Sequence, residues 1–170
     1  MLQVVGFSSA SLETIESDEF IPITINWGSP STGNVVYWRT GDNQRSLLEI
    51  GIDAHMSVVC SLTLVLTPSI FEKQTLDVQI SSPQSFGLPI CDLNRWGSSM
   101  YFDDLHSFEV SNSKNGLLID LQSQTPVESF LIAGRTRFGI NKQAGLCLIE
   151  IVALPDAVMS TLKEYHLFRS

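Results

Sequence analysis

Strict alternation of apolar and polar residues over two neighbouring segments limits what this chain can fold into more than any other feature. Leu48, Ile50 and Ile52 fall on one face while Glu49 and Asp53 fall on the other, the period of two of a half-buried strand. In the next segment Val58, Cys60, Leu62, Leu64 and Leu66 share one face against Val59, Ser61, Thr63 and Val65. The second face is itself semi-apolar, so both sides of this strand are expected to be covered. With Val35 to Arg39 in front of them, these segments predict three successive strands, the last two forming a hairpin at the centre of the main sheet.

The pattern returns near the end of the chain. Gly139, Ile140 and Asn141 match Gly51, Ile52 and Asp53, and after a turn one residue shorter Cys147 matches Cys60. The two hairpins, 46–66 and 134–153, read as a weak internal repeat about 88 positions apart, with chance likeness between two apolar hairpins as the alternative.

Elsewhere the signals are shorter. Residues 2–7 read as a strand, and Ser8 to Glu19, rich in carboxylates, as a loop or a brief helix around Leu12 and Ile15. Phe20 to Trp27 reads as a strand that Pro22 demotes to an edge. Thr75 to Ile80, Phe108 to Val110 and Leu117 to Leu121 also have strand character, and Ser129 to Asn141 with Leu146 to Leu154 gives the second hairpin. Ser81 to Ser107 carries Pro83, Gly87, Pro89, Gly97 and clustered aromatics without a sustained period, the mark of a long functional excursion over the surface. Pro155 opens a helix with Val158, Leu162 and Tyr165 on one stripe. The fold expected is a single domain, 1–170, of the α+β class and mostly antiparallel β. It has about ten short strands in a curved sheet or two-sheet sandwich, with one or two helices including the C-terminal one.

Charge separates the two ends of the chain. Of 18 acidic and 10 basic residues, which give a net charge of -8, 13 and 4 lie in 1–110 and 5 and 6 in 111–170. An acidic field repels nucleic acid and anionic membranes and favours a basic protein partner, although solubility alone also accounts for it. No apolar run is long enough to span a bilayer and no secretory signal opens the chain, so a cytoplasmic location is expected. Cys60, Cys91 and Cys147 are an odd set without close pairs, which fits reduced thiols packed in a core.

The familiar catalytic motifs are missing: no G-x-S-x-G, no phosphate loop, no H-E-x-x-H, no C-x-x-C. His55, His106 and His166 are scattered, so neither a metal nor a cofactor is expected. Asp103, Asp104 and His106 could form an acid-base group, with an exposed acidic turn as the plainer reading. Asp53 and Asn141 read as turn residues. Trp38 alternates within a strand and reads as core. The excursion instead gathers Asp92, Trp96, Tyr101, Asp103 and Asp104, with Glu109 just beyond. Aromatic anchors ringed by carboxylates suit a surface that holds a basic protein; aromatics folded inward as a local core are the alternative.

Over Trp38, Gly41, Ser46 to Asp53 and Ser61 to Leu64, the chain resembles small bacterial immunity proteins of contact-dependent inhibition and other polymorphic toxin systems. They carry W-x-x-G, then S-L-[LI]-E-[IV]-G-I-[DN], then S-[LI]-T-L. His55-Met56 stands where a Thr-Gly turn is common in them. The resemblance implies a non-enzymatic inhibitor that binds the toxin domain of its own locus, often a nuclease, and transfers no contact residue by motif. Two other readings stay open: a small-molecule or carbohydrate-binding β module with Trp96 and Tyr101 lining a pocket, and an enzyme using Asp103, Asp104 and His106.

Overall fold

The computed structural model describes residues 1–29, 33–67, 70–72, 82–113, 116–122, 125–164 and 168–169. The chain enters through β1 (Val4–Ser8), β2 (Glu13–Glu16), β3 (Ile23–Trp27), β4 (Val35–Gly41), β5 (Leu47–Asp53) and β6 (Val59–Leu66). Then come β7 (Ile70–Glu72), β8 (Gln84–Phe86), β9 (Leu88–Cys91) and β10 (Tyr101–Asp103). The last third holds β11 (Glu109–Ser113), β12 (Gly116–Asp120), β13 (Ser129–Ala133), β14 (Thr136–Ile140), β15 (Leu146–Ile151), α1 (Asp156–Glu164) and β16 (Phe168–Arg169). The protein is therefore mostly antiparallel β, with one short helix among the described residues, near the C-terminus. Sixteen strands among the described residues exceed the ten or so expected, because strands of three or four residues are set by pairing and not by a readable period. The expected strand at Thr75 to Ile80, together with Tyr165 and His166, lies outside the described residues. No helix among the described residues is long and apolar enough to cross a membrane.

Six strands form one sheet in the order β10-β4-β5-β6-β3-β2, eight form a second in the order β16-β7-β11-β12-β15-β14-β13-β8, and β1 pairs with β9. As expected, β5 and β6 lie at the centre of the first sheet. The two sheets match strand for strand from β10 to β2 and from β8 to β11, down to the outer strand that joins β4 or β13 in parallel. Both contribute to one buried cluster, with Ile25, Ile50, Leu62 and Leu64 from the first and Leu117, Ile119, Phe138 and Ile149 from the second.

The likeness reaches local detail. Each central hairpin has a register shift, between Gly51 and Ile52 in one and between Gly139 and Ile140 in the other. The side-chain oxygen of Asp53 accepts from the amides of His55 and Met56, and that of Asn141 from the amides of Gln143 and Gly145. Both are thus turn residues, as read, and each loop then passes through a left-handed residue, Ser57 at φ 57° or Ala144 at φ 60°. A Cβ on Gly51 would run into Ser61 Oγ, and one on Gly139 would lie 2.9 Å from Leu148 Cβ, so each glycine lets a side chain of the partner strand lie across it. The β1-β9 ribbon then ties the hairpins together crosswise. Cys91 N donates to Ser57 O at 2.8 Å, and Val4 N donates to Ala144 O at 2.8 Å.

The register shifts also correct the face assignment of β6. Gly51 pairs with Ser61 but Ile52 with Val59, and Leu48 pairs with Leu64 but Leu47 with Leu66, so Cys60 and Val65 are extra residues on β6. Each bulge moves the following side chains to the other face. Val59 is consequently fully buried and Leu66 is 39% exposed, the reverse of strict alternation.

Three further expectations need correction. Residues 13–16 form a strand and not a helix, because Glu13 and Ile15 turn toward the protein while Thr14 and Glu16 are exposed. β3 is not an edge strand: Pro22 precedes its first residue, removes no ladder bond, and leaves β3 between β6 and β2. Ser129 to Asn141 is itself a hairpin of β13 and β14, reversed at Gly134 with φ 60°. In α1, Met159 N donates to Pro155 O at 3.0 Å, and Val158 and Leu162 are buried as the stripe requires.

Cys60, Cys91 and Cys147 are buried and free of disulfides. Burial pushes the Cys91 thiol up to about 12 and the Cys147 thiol up to about 11, and raises that of Cys60 as well. Because the thiolate is the nucleophile, iodoacetamide at mildly alkaline pH should label none of the three in the native protein. In denaturant all three should react. Rapid native labelling of Cys91 would show that its strand opens far more readily than a core strand does.

Candidate functional site

The excursion expected over Ser81 to Ser107 is in part regular strand, β8 and β9, each held by pairing with a distant strand, and its remainder, residues 92–107, becomes ordered by adding a strand to the edge of β4. Asp92 Oδ1 accepts from Asn94 N at 3.0 Å and Trp96 N donates to Leu93 O at 3.0 Å, turning the chain back toward the sheet. Tyr37 N then donates to Met100 O at 2.7 Å, and Asp104 N to Arg39 O at 2.8 Å. Between these bonds β10 runs parallel to β4, with Tyr101 beside Tyr37, Phe102 beside Trp38 and Asp103 beside Arg39. Parallel pairing after a long crossover leaves no local signal in a sequence, so alternation alone does not mark Tyr37 and Arg39 as site residues.

Alternation along β10 splits the residues expected to act together. On the outer face the Tyr101 and Tyr37 rings stack at 5.7 Å with 23° between planes, and the Arg39 guanidinium lies 4.3 Å from the Tyr101 centroid. Asp103 accepts from Arg39 Nε at 2.6 Å and Nη2 at 2.9 Å. That bidentate bond raises the Arg39 pKa despite partial desolvation. Glu49 lies opposite Arg39 in β5 and so shares this face. Burial, followed by the negative charge of nearby groups, raises the pKa of Tyr37 and keeps its hydroxyl protonated. The face is thus a half-buried Tyr37 and an exposed Tyr101, 46% accessible, locked by an ion pair.

The inner side carries different chemistry. Trp96 stacks on Phe102 at 5.2 Å and 15°. Behind this pair lies a cavity of about 260 Å³, bounded also by Trp38, Asp92, Arg95 and Asp104. Trp38 is 3% exposed, in keeping with a core residue, yet its indole nitrogen has no acceptor among the described residues. Asp104 pairs with the ammonium of Met1 and, at 3.0 Å, with His106 Nε2. Burial lowers the pKa of that ammonium.

Asp92, Trp96 and Asp104 therefore meet at the cavity, whereas Tyr101 and Asp103 belong to the opposite face. Glu109 lies in neither place. It sits on β11 of the second sheet, opposite Asp120. Of the three acid-base candidates Asp104 and His106 do meet, at 3.0 Å, while Asp103 is held by Arg39 on the opposite face. Among the described residues no three His, Cys, Asp or Glu side chains gather as metal ligands do. The chain matches no protein-family model, and no curated protein matches it at a significant level.

Proposed function

We propose that the chain is an immunity-type protein that acts in the cytoplasm, binding a basic toxin domain and covering its active surface. The observation that carries this reading is the outer face of β10 and β4, where Tyr37, Tyr101, Arg39 and Asp103 are held in one arrangement before any partner arrives. Tyr and Arg are the residues that dominate interface energies, and rings already fixed by stacking lose little entropy on binding. The net charge of -8 supplies a field that attracts a basic partner. The resemblance of the stretch from Trp38 to Leu64 to immunity proteins points the same way.

The test is binding to the toxin domain encoded beside this gene. Tyr101→Ala should raise the off-rate and cost about 2 kcal/mol, the loss typical of an anchor residue. Asp103→Lys would be a poor probe of steering, since it also sets a cation against Arg39. Glu16→Lys/Glu19→Lys, at exposed positions, should instead lower the on-rate at low salt and lose that effect as salt screens the field. If Tyr101→Ala leaves the off-rate unchanged, the interface is not this face. If no protein of the locus binds, the immunity reading is wrong.

A further inference from the structure

We propose that β8 is a self-association edge: two copies of this chain pair β8 with β8, antiparallel about a two-fold axis, and cover Phe86, Phe7 and Val5 of each copy. These are not the residues of the Tyr101 face, so the proposal stands or falls independently of the immunity reading.

The argument starts from the backbone of β8. Phe130 N donates to Pro83 O and Gly87 N to Ile132 O, both at 2.9 Å. In a parallel ladder these bonds turn residues 83, 85 and 87 toward β13. The N–H and C=O groups of Gln84 and Phe86 therefore point away from β13. β8 ends its sheet, and no described strand pairs with that side. Pro83 does not guard it, because the backbone of Pro83 faces β13. The equivalent strand of the first sheet, β10, is guarded. There Ser99 Oγ accepts from Tyr101 N at 3.2 Å and donates to Tyr101 O at 2.8 Å, and Asp103 adds a charge. The other two end strands of the large sheets carry Glu13 and Glu16 in β2 and Arg169 in β16. Of these four strands β8 alone has no charged residue, and charge is what natural edges use to turn a second strand away.

Side chains agree with the backbone. Phe86 is 75% exposed, and Val5 and Phe7 project from the exposed side of β1. A Cβ on Gly87 would lie 3.0 Å from Phe7 Cδ2, which puts that ring at the residue next to Phe86. Charge then selects the occupant. Residues 1–12 and 81–91 hold no charged side chain. In register with Phe86, beyond Ile132, the first charges are Arg137 and Glu150, and they pair with each other at 3.0 Å. A basic partner finds no carboxylate to meet here, whereas two copies that each carry a net charge of -8 approach most easily through an uncharged surface. The register is also self-complementary. With the axis at Ser85, Gln84 of each copy exchanges both backbone bonds with Phe86 of the other. The contact is smaller than the roughly 1,200 Å² at which standard interfaces begin, so the dimer is weak, with a dissociation constant of about 10 µM or more.

Sedimentation velocity of the intact chain, over a wide range of concentration around that value, should show a reversible equilibrium of monomer and dimer. Added salt should strengthen the dimer, because screening relieves repulsion between like-charged copies; the toxin encounter responds to salt in the opposite sense. Phe86→Lys, at an exposed position, should weaken association at least about tenfold, the loss of an anchor ring. Phe20→Lys, at another exposed phenylalanine, changes the net charge equally and should leave association unchanged. Hydrogen exchange at the Gln84 and Phe86 amides should slow as the dimer fills. A chain that stays monomeric throughout overturns the proposal, and if Phe86→Lys then weakens binding of the toxin domain, this edge belongs to the toxin interface instead. A dimer that Phe86→Lys leaves intact, or that Phe20→Lys weakens as much, also overturns it. So does a dimer in which the Gln84 and Phe86 amides exchange as fast as in the monomer, for the copies then meet elsewhere than at β8.

Discussion

Leu62→Ala is expected to lower the free energy of unfolding by about 2 to 5 kcal/mol, the range for a large-to-small change in a packed core. Leu62 has no exposed surface and sits on β6, with Ile50 of β5 on one side and Ile25 of β3 on the other in register. Both neighbours are also fully buried and belong to strands paired on each edge, so the sheet cannot close over the lost volume. Leu66→Ala is the natural comparison. Strict alternation would put it on the same face as Leu62, but the extra residue at Val65 turns it outward and leaves it 39% exposed. Its loss should be under about 1 kcal/mol, as for most substitutions near the surface. Equilibrium unfolding in urea measures both. Equal losses at the two positions would mean that the bulge is misplaced.

The same strand shows how much of the fold a period of two carries. A period of two was enough to find β5, β6 and β15 and to place the first pair at the centre of a sheet, because each strand buries one face against a shared core. It could not show the bulges at Cys60 and Val65, which insert one residue each without changing composition. The cross-strand partner of a strand as short as β10 was equally hidden. Trp38 was legible as core, and Tyr37 and Arg39 were visible as its alternating neighbours. Their importance depends on Tyr101 and Asp103 arriving from more than 60 residues away, as the Arg39–Asp103 bond at a separation of 64 makes plain. Adjacency also misled: Asp103 and Asp104 are consecutive, and for that reason a strand sends them to opposite faces.

Glu13 gives the second large effect, in a segment that reads simply as acidic. Its Oε1 accepts from Trp27 Nε1 at 3.2 Å and from Thr136 Oγ1 at 3.1 Å, and its two oxygens accept from the amide of Arg135 at 3.2 and 2.9 Å. Trp27 belongs to the first sheet, where its ring meets Phe138 of the second at 5.5 Å, and Thr136 is fully buried at the start of β14. One carboxylate on an edge strand therefore joins the two sheets. Glu13→Ala would leave the indole and the hydroxyl buried without an acceptor, at about 1 to 3 kcal/mol for each group. The expected loss of stability is about 3 kcal/mol. Glu13→Gln keeps an acceptor oxygen in place and should lose about 1 kcal/mol, the worth of the charge on those bonds. Hydrogen exchange at the Arg135 amide separates this clamp from a general loss of stability: in Glu13→Ala it should speed up by more than the global change requires. If Glu13→Ala costs less than about 0.5 kcal/mol, an ordinary surface effect, the carboxylate does not hold the sheets together and the packing of Trp27 on Phe138 does so alone.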